Sequence, residues 1–345
     1  MPELSAQGRA ADLTETLHSS FYTSSDVYSR EVERIFEKAW IPVAPSVFVA
    51  EPYQVITESI GHKSFFIRRS PDGSLEGFFN VCPHRAGPIV SPSTTPGTSR
   101  TLVCQYHGWS FNDDGSLRHA RDFGATPPSS FCLKPVRVAE FASYVFVCLD
   151  EDAAPLSEYL GEYPSALERI PLDSYRYHSR STRRVACNWK TYAENFLEGY
   201  HLPTVHPRLT KDSNAASYTV VMTEDPKWNV HLMTERPGSS FSSFGFLYPS
   251  YAFNVVHRGF VSERWMPRGP DSIDLYFEYF FDPSLSEDEA AHLMEFSELV
   301  ADEDVRIAEL VQQNLASGVY ASGVLSPKWE EPLAVFQDLV RRTLA

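Results

Sequence analysis

The chain reads as an α+β protein in two parts, a small all-β domain followed by a larger α+β domain with an antiparallel sheet and helices. Three observations predict this. Residues 41–149 break into short strand-like runs divided by turn signals. Asp150-Glu151-Asp152-Ala153-Ala154-Pro155 is an acidic, proline-ended stretch of the kind that divides domains. Beyond it, helical and strand periodicities alternate. The expected organisation is an N-terminal arm and helix over 1–40, packing on the second domain, then the β-domain over 41–150 and the α+β domain over 151–345. At 345 residues there is length for a core in each domain.

Residues 1–25 are small and polar and read as a loose arm. Ser25 is the expected N-cap of a helix in which Tyr28, Val32, Ile35 and Phe36 recur at helical spacing up to Trp40. Strands are expected at 53–60, 64–69, 77–81, 101–105 and 144–149. Pro71-Asp72-Gly73 and Asp113-Asp114-Gly115 supply the hairpin turns. In the second domain, 188–201 reads as a helix with Trp189, Tyr192, Phe196 and Tyr200 in one stripe, stopped by Pro203. Strands follow at 218–223, 228–233, 251–257 and 274–281. In the last, Leu275, Phe277, Tyr279 and Phe281 alternate as on a half-buried strand. Ser286-Glu287-Asp288-Glu289 is a capping box opening a helix to about residue 317, with Gly318 as its stop.

Composition narrows the function. A net charge of −15 argues against a nucleic-acid partner, since phosphate binding needs clustered Lys and Arg. It could favour a redox partner with a basic patch. The aromatic share of 13% suits an apolar pocket. No run of eighteen apolar residues exists, so no membrane span is expected. The first twenty residues lack basic and apolar signal regions, so no signal peptide is expected. Five cysteines form an odd, sparse set that fits a reducing, cytoplasmic setting, with Cys132, Cys148 and Cys187 expected as buried thiols.

Cys82-Pro83-His84 and Cys104-Gln105-Tyr106-His107 carry the first chemistry, with nineteen residues between His84 and Cys104. Two thiolates and two imidazoles are what a Rieske [2Fe-2S] cluster uses, two Cys on one iron and two His on the other. Zinc is the alternative, but zinc modules usually pair Cys with Cys and His with His. Here each half holds one of each. The flanks, from Phe79 to Arg85 and from Cys104 to Phe111, closely resemble the two cluster-binding loops of Rieske proteins. The gap is longer than usual, and residues 91–97 look like an inserted loop.

A second constellation follows. Glu194, Asn195, Glu198 and His201 share one side of the expected helix, and His206 comes five residues later. Two histidines and one carboxylate form the facial triad of non-haem iron(II) enzymes, which leaves coordination positions open. Asp302, Glu303 and Asp304 compete for the third place. Leu293, Phe296, Val300, Ile307, Val311 and Leu315 mark the inward stripe of the long helix. Asp304 falls on it, whereas Asp302 falls with Glu295, Glu298, Arg306 and Glu309 on the wet side. An inward carboxylate demands a partner, so Asp304 is the expected ligand.

From Asn188 to Pro207 the chain resembles the iron-binding motif of the Rieske non-haem iron oxygenases, and the likeness runs from about Trp40 to Leu339. In motif it is nearest to single-component members of the choline and glycine betaine monooxygenase type. This resemblance implies a catalytic alpha subunit holding a [2Fe-2S] cluster at Cys82, His84, Cys104 and His107, and Fe(II) at His201, His206 and Asp304. It implies that Glu198 bridges His201 to a cluster histidine, by position His107, across a subunit boundary, although the family more often has Asp there. Asn195 becomes a polar neighbour of the iron, and a homotrimer is implied. The chain has no G-x-G-x-x-G fingerprint. NAD(P)H would therefore act through a separate reductase or ferredoxin.

The expected activity is hydroxylation or oxidative demethylation of a small organic substrate with O2. The alternatives are the large subunit of a ring cis-dihydroxylating dioxygenase, and an electron carrier with a dead second site. Phe241, Phe244, Phe246, Tyr248, Tyr251, Phe253 and Phe260 crowd into twenty residues, followed by Phe277, Tyr279 and Phe280. Phe246, Tyr248, Tyr251, Phe253 and His257 are the expected substrate pocket, for an aromatic ring or a quaternary ammonium. His257 and Arg258 are candidates for an anion at its mouth.

Overall fold

The computed structural model describes residues 13–93, 95–167, 172–212, 217–233 and 241–345. Residues 1–12 of the expected N-terminal arm and the side chain of Phe241 lie outside the described residues; the rest of that arm is not loose, because Leu17 and Tyr22 are buried and the main chain of Thr16 and Ser19 bonds to Gly323 and Ala321. Ten short strands build the first domain: β1 (Ile41–Pro45), β2 (Gln54–Ile60), β3 (Lys63–Arg69), β4 (Leu75–Phe79), β5 (Gly97–Thr98), β6 (Leu102–Val103), β7 (Ser110–Phe111), β8 (Leu117–His119), β9 (Arg137–Phe141) and β10 (Tyr144–Cys148). They form three small sheets, ordered β4-β3-β2-β5, β6-β7-β8 and β1-β10-β9. Gly73 and Gly115 take positive φ at the expected turns, which only Gly adopts without cost.

The second domain is one antiparallel sheet of seven strands: β11 (Arg176–Val185), β12 (Thr219–Met222), β13 (Trp228–Leu232), β14 (Phe241–Leu247), β15 (Tyr251–Val256), β16 (Gly259–Gly269) and β17 (Ser272–Phe281). Their order is β11-β17-β16-β15-β14-β13-β12. The helices are α1 (Ser20–Thr23), α2 (Ser25–Glu31), α3 (Leu156–Leu160), α4 (Tyr163–Leu167), α5 (Trp189–Phe196), α6 (Leu202–Val205), α7 (Pro207–Asp212), α8 (Glu287–Ala316) and α9 (Glu331–Leu344). No described helix is long and apolar enough to cross a membrane.

Both faces of the sheet are covered. Phe246, Trp265, Leu275 and Phe277 face the core shared with α5, α8 and α9. Tyr251, Phe253, Phe260 and Phe280 join a second cluster with Tyr144 and Phe146 of β10. The β-domain, with α3 and α4, thus packs on one face of the sheet, and α5, α8 and α9 on the other. That explains a departure from expectation. β17 is buried on both faces over Leu275–Phe281, not half-buried, because the β-domain lies against its second side.

Besides the short β1, β5, β7, β8 and β9 of the first domain, three strands of the second escaped the sequence reading. β11 is rich in Arg and looks exposed, yet its arginines pair with acids: Arg180 with Glu278 at 2.8 Å, Arg184 with Asp274 at 2.5 Å, and Arg183 with Glu298 and Asp302. β14 and β16 lack clean alternation; β16 is buried on both faces through Pro267. Glu298 is therefore half-buried and paired, not on a wet face. The N-cap of α2 is Ser24, whose side chain accepts from Val27 N, not Ser25. This helix packs on the second domain, as Glu31 accepts from Trp189 Nε1 at 2.8 Å and from Lys190 Nζ at 2.6 Å. Cys132 is exposed, because it sits in the irregular loop before β9, while Cys148 and Cys187 are buried.

Candidate metal centres

The first site lies in the loops after β4 and β6. Main-chain bonds fold each loop: Ala86 N donates to Cys82 O at 2.9 Å, and Gly108 N to Cys104 O at 3.0 Å. Ala86 and Gly108 take positive φ, of 55° and 74°. For Ala86 this is an uncommon conformation, held by the bonds around it. The loops bring Cys82, His84, Cys104 and His107 together. The imidazoles of His84 and His107 lie 4.7 Å apart, and Trp109 stacks on His84.

Two features fit a metal cluster. The Nδ1 atoms of His84 and His107 are buried without a hydrogen-bond partner. Buried polar atoms are otherwise almost always paired, so these call for a ligand. Gly87 keeps the space clear, since a Cβ there would come within 2.9 Å of Cys104 Sγ. Burial, with Cys104 alongside, pushes the Cys82 thiol up to about 11. A bound cation would favour the Cys82 thiolate.

The second site lies between α5, α6 and α8. Here the expected helix over 188–201 stops at Phe196. His201 is instead the N-cap of α6, and Pro203 sits in the first turn of that helix, where its missing N–H costs nothing. Glu198 replaces the helical bonds. It accepts from the main-chain N–H of Tyr200 and from that of His201 at 3.0 Å, and its other oxygen accepts from His201 Nδ1 at 2.5 Å. Tyr200 leaves the stripe and is exposed. Glu194 does not face the site; it accepts from Tyr22 Oη at 2.7 Å and Gln337 Nε2 at 2.9 Å, behind α5.

His201, His206 and Asp304 converge with their ligand atoms within 4.8 Å of one another. His201 Nε2 and His206 Nε2 are 3.2 Å apart, and His206 Nε2 lies 2.9 Å from Asp304 Oδ1. Each imidazole is held from behind through Nδ1, His201 by Glu198 and His206 by Glu303 at 2.8 Å. A carboxylate behind each ligand nitrogen fixes its tautomer and raises its basicity. Asn195 Nδ2 donates to Asp304 Oδ1 at 2.6 Å, which aims that carboxylate. Burial alone would lower the pKa of His206, but hydrogen bonds to Asp304 and Glu303 outweigh it and raise it.

The three acids of α8 thus separate. Asp304 faces the histidines, Glu303 backs His206, and Asp302 is 71% exposed against Arg183. Leu293, Phe296 and Leu315 are buried as expected, and between them the stripe runs through Ser297, Ala301, Ala308 and Gln312. Asp304 lies between Ala301 and Ala308, and Val311 is exposed. Small residues, not the large apolar ones, mark the face that meets α5.

A cavity of about 80 Å³ opens on the ligand set. Its aromatic walls are Tyr192, Phe196, Tyr218, Phe244 and Phe277, with Asn254, Glu263 and His231 among its polar groups. Among the described residues no Lys or Arg lines it. The expected pocket residues lie elsewhere. Tyr251 and Phe253 face the β-domain across the sheet. Phe246 and Tyr248 are core residues against Phe336. His257 is exposed in the β15–β16 turn with Arg258, which pairs with Asp282 at 3.3 Å. Alternation along β14 sends Phe244 to the cavity, and the next strand sends Tyr251 away; the face could not be read without the sheet. Glu263 had one sequence signal, as the lone acid of β16.

Residues 39–137 match the Rieske [2Fe-2S] domain, and residues 172–345 match the catalytic domain of ring hydroxylating alpha subunits. The chain is 30% identical to chloroplastic choline monooxygenase of Arabidopsis thaliana, over 94% of this chain and 82% of that one. It is 29% identical to the carnitine monooxygenase oxygenase subunit of Escherichia coli K12, over 88% and 85%. The solved structure of a quaternary ammonium Rieske monooxygenase superposes with a TM-score of 0.87 at 26% identity, over 97% of this chain and 96% of that one.

Proposed function

This chain belongs to the Rieske ring-hydroxylating oxygenases as an alpha subunit, and we propose that it is the terminal monooxygenase of a system that oxidises a small quaternary ammonium compound. One observation carries the reading: the His201, His206 and Asp304 set opens on a compact, aromatic-walled cavity that has no Lys or Arg lining it among the described residues. Aromatic faces attract a methylated ammonium, which cannot donate hydrogen bonds. The relatives named for choline and carnitine support the same choice.

In this proposal His201, His206 and Asp304 hold Fe(II), and Cys82, His84, Cys104 and His107 hold the [2Fe-2S] cluster. When bound, the cluster relays single electrons and the iron activates O2. The net step inserts one oxygen atom into a C–H bond beside nitrogen; the other leaves as water, with two electrons from a reductase and two protons. A carbinol formed on an N-methyl group would then break down to an aldehyde and the demethylated amine. Glu198 and Glu303 keep the imidazoles oriented, and Asn195 steers Asp304. Glu198 has one oxygen on His201, and in a homotrimer it would also meet His107 of the partner subunit. The electrons come from a separate NAD(P)H reductase in a cytoplasmic setting.

The test is a product assay with labelled O2, reductase and a panel of quaternary ammonium compounds. Retention of one labelled atom, or release of labelled aldehyde, is expected. Two atoms retained on an aromatic ring would replace this reading with the dioxygenase. An iron content equal to the cluster alone would replace it with an electron carrier.

A further inference from the structure

Glu263 sits on β16 and lines the same cavity as the three candidate iron ligands. It is 6% exposed. Its carboxylate is met only by neutral donors: Tyr192 Oη donates to Oε1, and Asn254 Nδ2 to Oε2 at 3.2 Å. Two other fully buried acids are paired with cations, whereas Glu194, which like Glu263 meets neutral donors, lies behind α5 outside the cavity. Glu31 has Lys190 at 2.6 Å, and Glu278 has Arg180 at 2.8 Å and Arg264 at 3.3 Å. Among the described residues Glu263 has no ion pair.

A buried carboxylate without a cation is costly. Resting in the cavity, Glu263 is therefore pushed toward its neutral form, up to about 7, chiefly by burial, with Asp304 adding to the effect and Arg183 opposing it. The nearby His231 supplies no positive charge. Burial drives it down to about 3, and its ring nitrogens are taken by Tyr218 and Asn229. The cavity thus offers aromatic faces and one carboxylate whose partner is not in the protein.

We propose that Glu263 is the counter-ion for the substrate's positive charge and selects cationic over neutral ligands of the same shape. The inference rests on the quaternary ammonium reading above and deepens it. Tyr192 and Asn254 aim the carboxylate, and the aromatic walls surround the methyl groups. An ammonium entering the cavity supplies the missing charge and draws Glu263 into its ionised form. The alternative is a neutral acid that only ties Tyr192 to Asn254.

The test is calorimetric binding to the purified holoenzyme. The probes are choline, glycine betaine and γ-butyrobetaine, each against the carbon isostere that bears tert-butyl in place of trimethylammonium. The wild type is expected to prefer the cation of at least one pair. Glu263→Gln can keep both hydrogen bonds once the Asn254 amide turns. It should weaken that cation by roughly tenfold or more, as for one partner removed from a desolvated charge pair, and leave the isostere unchanged. Equal weakening of both overturns this inference and leaves the substrate reading standing. Failure of every ammonium to bind the wild type overturns both. A second measurement needs no variant. At pH 6 cation binding to the wild type should release a proton, seen as a dependence of the heat on buffer ionisation enthalpy, and isostere binding should not. Absence of that release also overturns the inference, whether or not the variant folds.

Discussion

Cys82, His84, Cys104 and His107 come from two loops of one small domain, and main-chain hydrogen bonds shape both loops. His201 and His206 meet Asp304, which lies 98 positions beyond His206, and side chains hold that site: Glu198, Glu303 and Asn195 each bind a ligand residue from behind. The first pocket is set by local backbone, with buried ring nitrogens left open. The second is set by packing α8 against α5 and α6. A locally built site should survive damage elsewhere, whereas a site assembled across the fold should respond in grades to its supporting residues.

The largest test of that contrast removes one ligand from each site. His206→Ala should abolish turnover and lower the iron content to that of the cluster, with the visible absorption of the iron–sulfide pair intact. Cys104→Ser should erase that absorption. If His206→Ala also bleached the cluster, the two sites would not be independent.

Next is Glu198→Gln, which keeps an acceptor for the two main-chain donors but loses the charge behind His201. Turnover should fall roughly 10- to 100-fold, the usual range for such partners. Both metals should stay bound, and single-turnover kinetics should place the loss in the oxidation of the reduced cluster. Glu303→Gln backs His206 alone. Its effect should appear as weaker iron retention, toward the lower end of that range, when iron is titrated against a chelator.

Glu194 sharpens the comparison from behind α5. Burial raises it to about 7, opposed by its bonds to Tyr22 and Gln337. The unfolded chain would release that proton near 4.5. Between those values the folded protein holds a proton the unfolded chain has lost, so stability falls as pH rises from 4.5 to 7 and then levels. Glu194→Gln should remove this slope, on the order of 3 kcal/mol across the window. Denaturant melts of both proteins from pH 4.5 to 8 measure it, and parallel curves would refute it. The smallest effect belongs to Asp302→Asn. This exposed acid meets only Arg183, so iron content should not change and stability should stay within about 0.5 kcal/mol.

The same contrast explains what could be read in advance. The α8 capping box and its stop at Gly318 are local and stand where expected, with Gly318 at positive φ. Asp304 was legible because its helix face was; Glu303 as the support of His206 was not, because its partner comes from another segment. The helix over 188–201 looked continuous because its apolar spacing continued. Glu198 ended it by capping the next turn, a bond that spacing does not reveal. The aromatic run of β14 and β15 promised a pocket, but the aromatics of the two strands face opposite sides of the sheet, and only the pairing of Phe246 with Ala252 and Leu247 with Tyr251 assigns them.

By itself the sequence determined the two-part α+β architecture and, through short-range spacing of Cys, His and acidic residues, the places where metal chemistry is possible. Those features depend on neighbours a few residues apart, which the covalent chain holds in order. Only the tertiary structure decided which acid backs His206, which aromatics face the cavity, and that Glu263 lies buried there without a cation. Each of these depends on which surfaces exclude water together, and that is settled by packing between segments far apart in the chain.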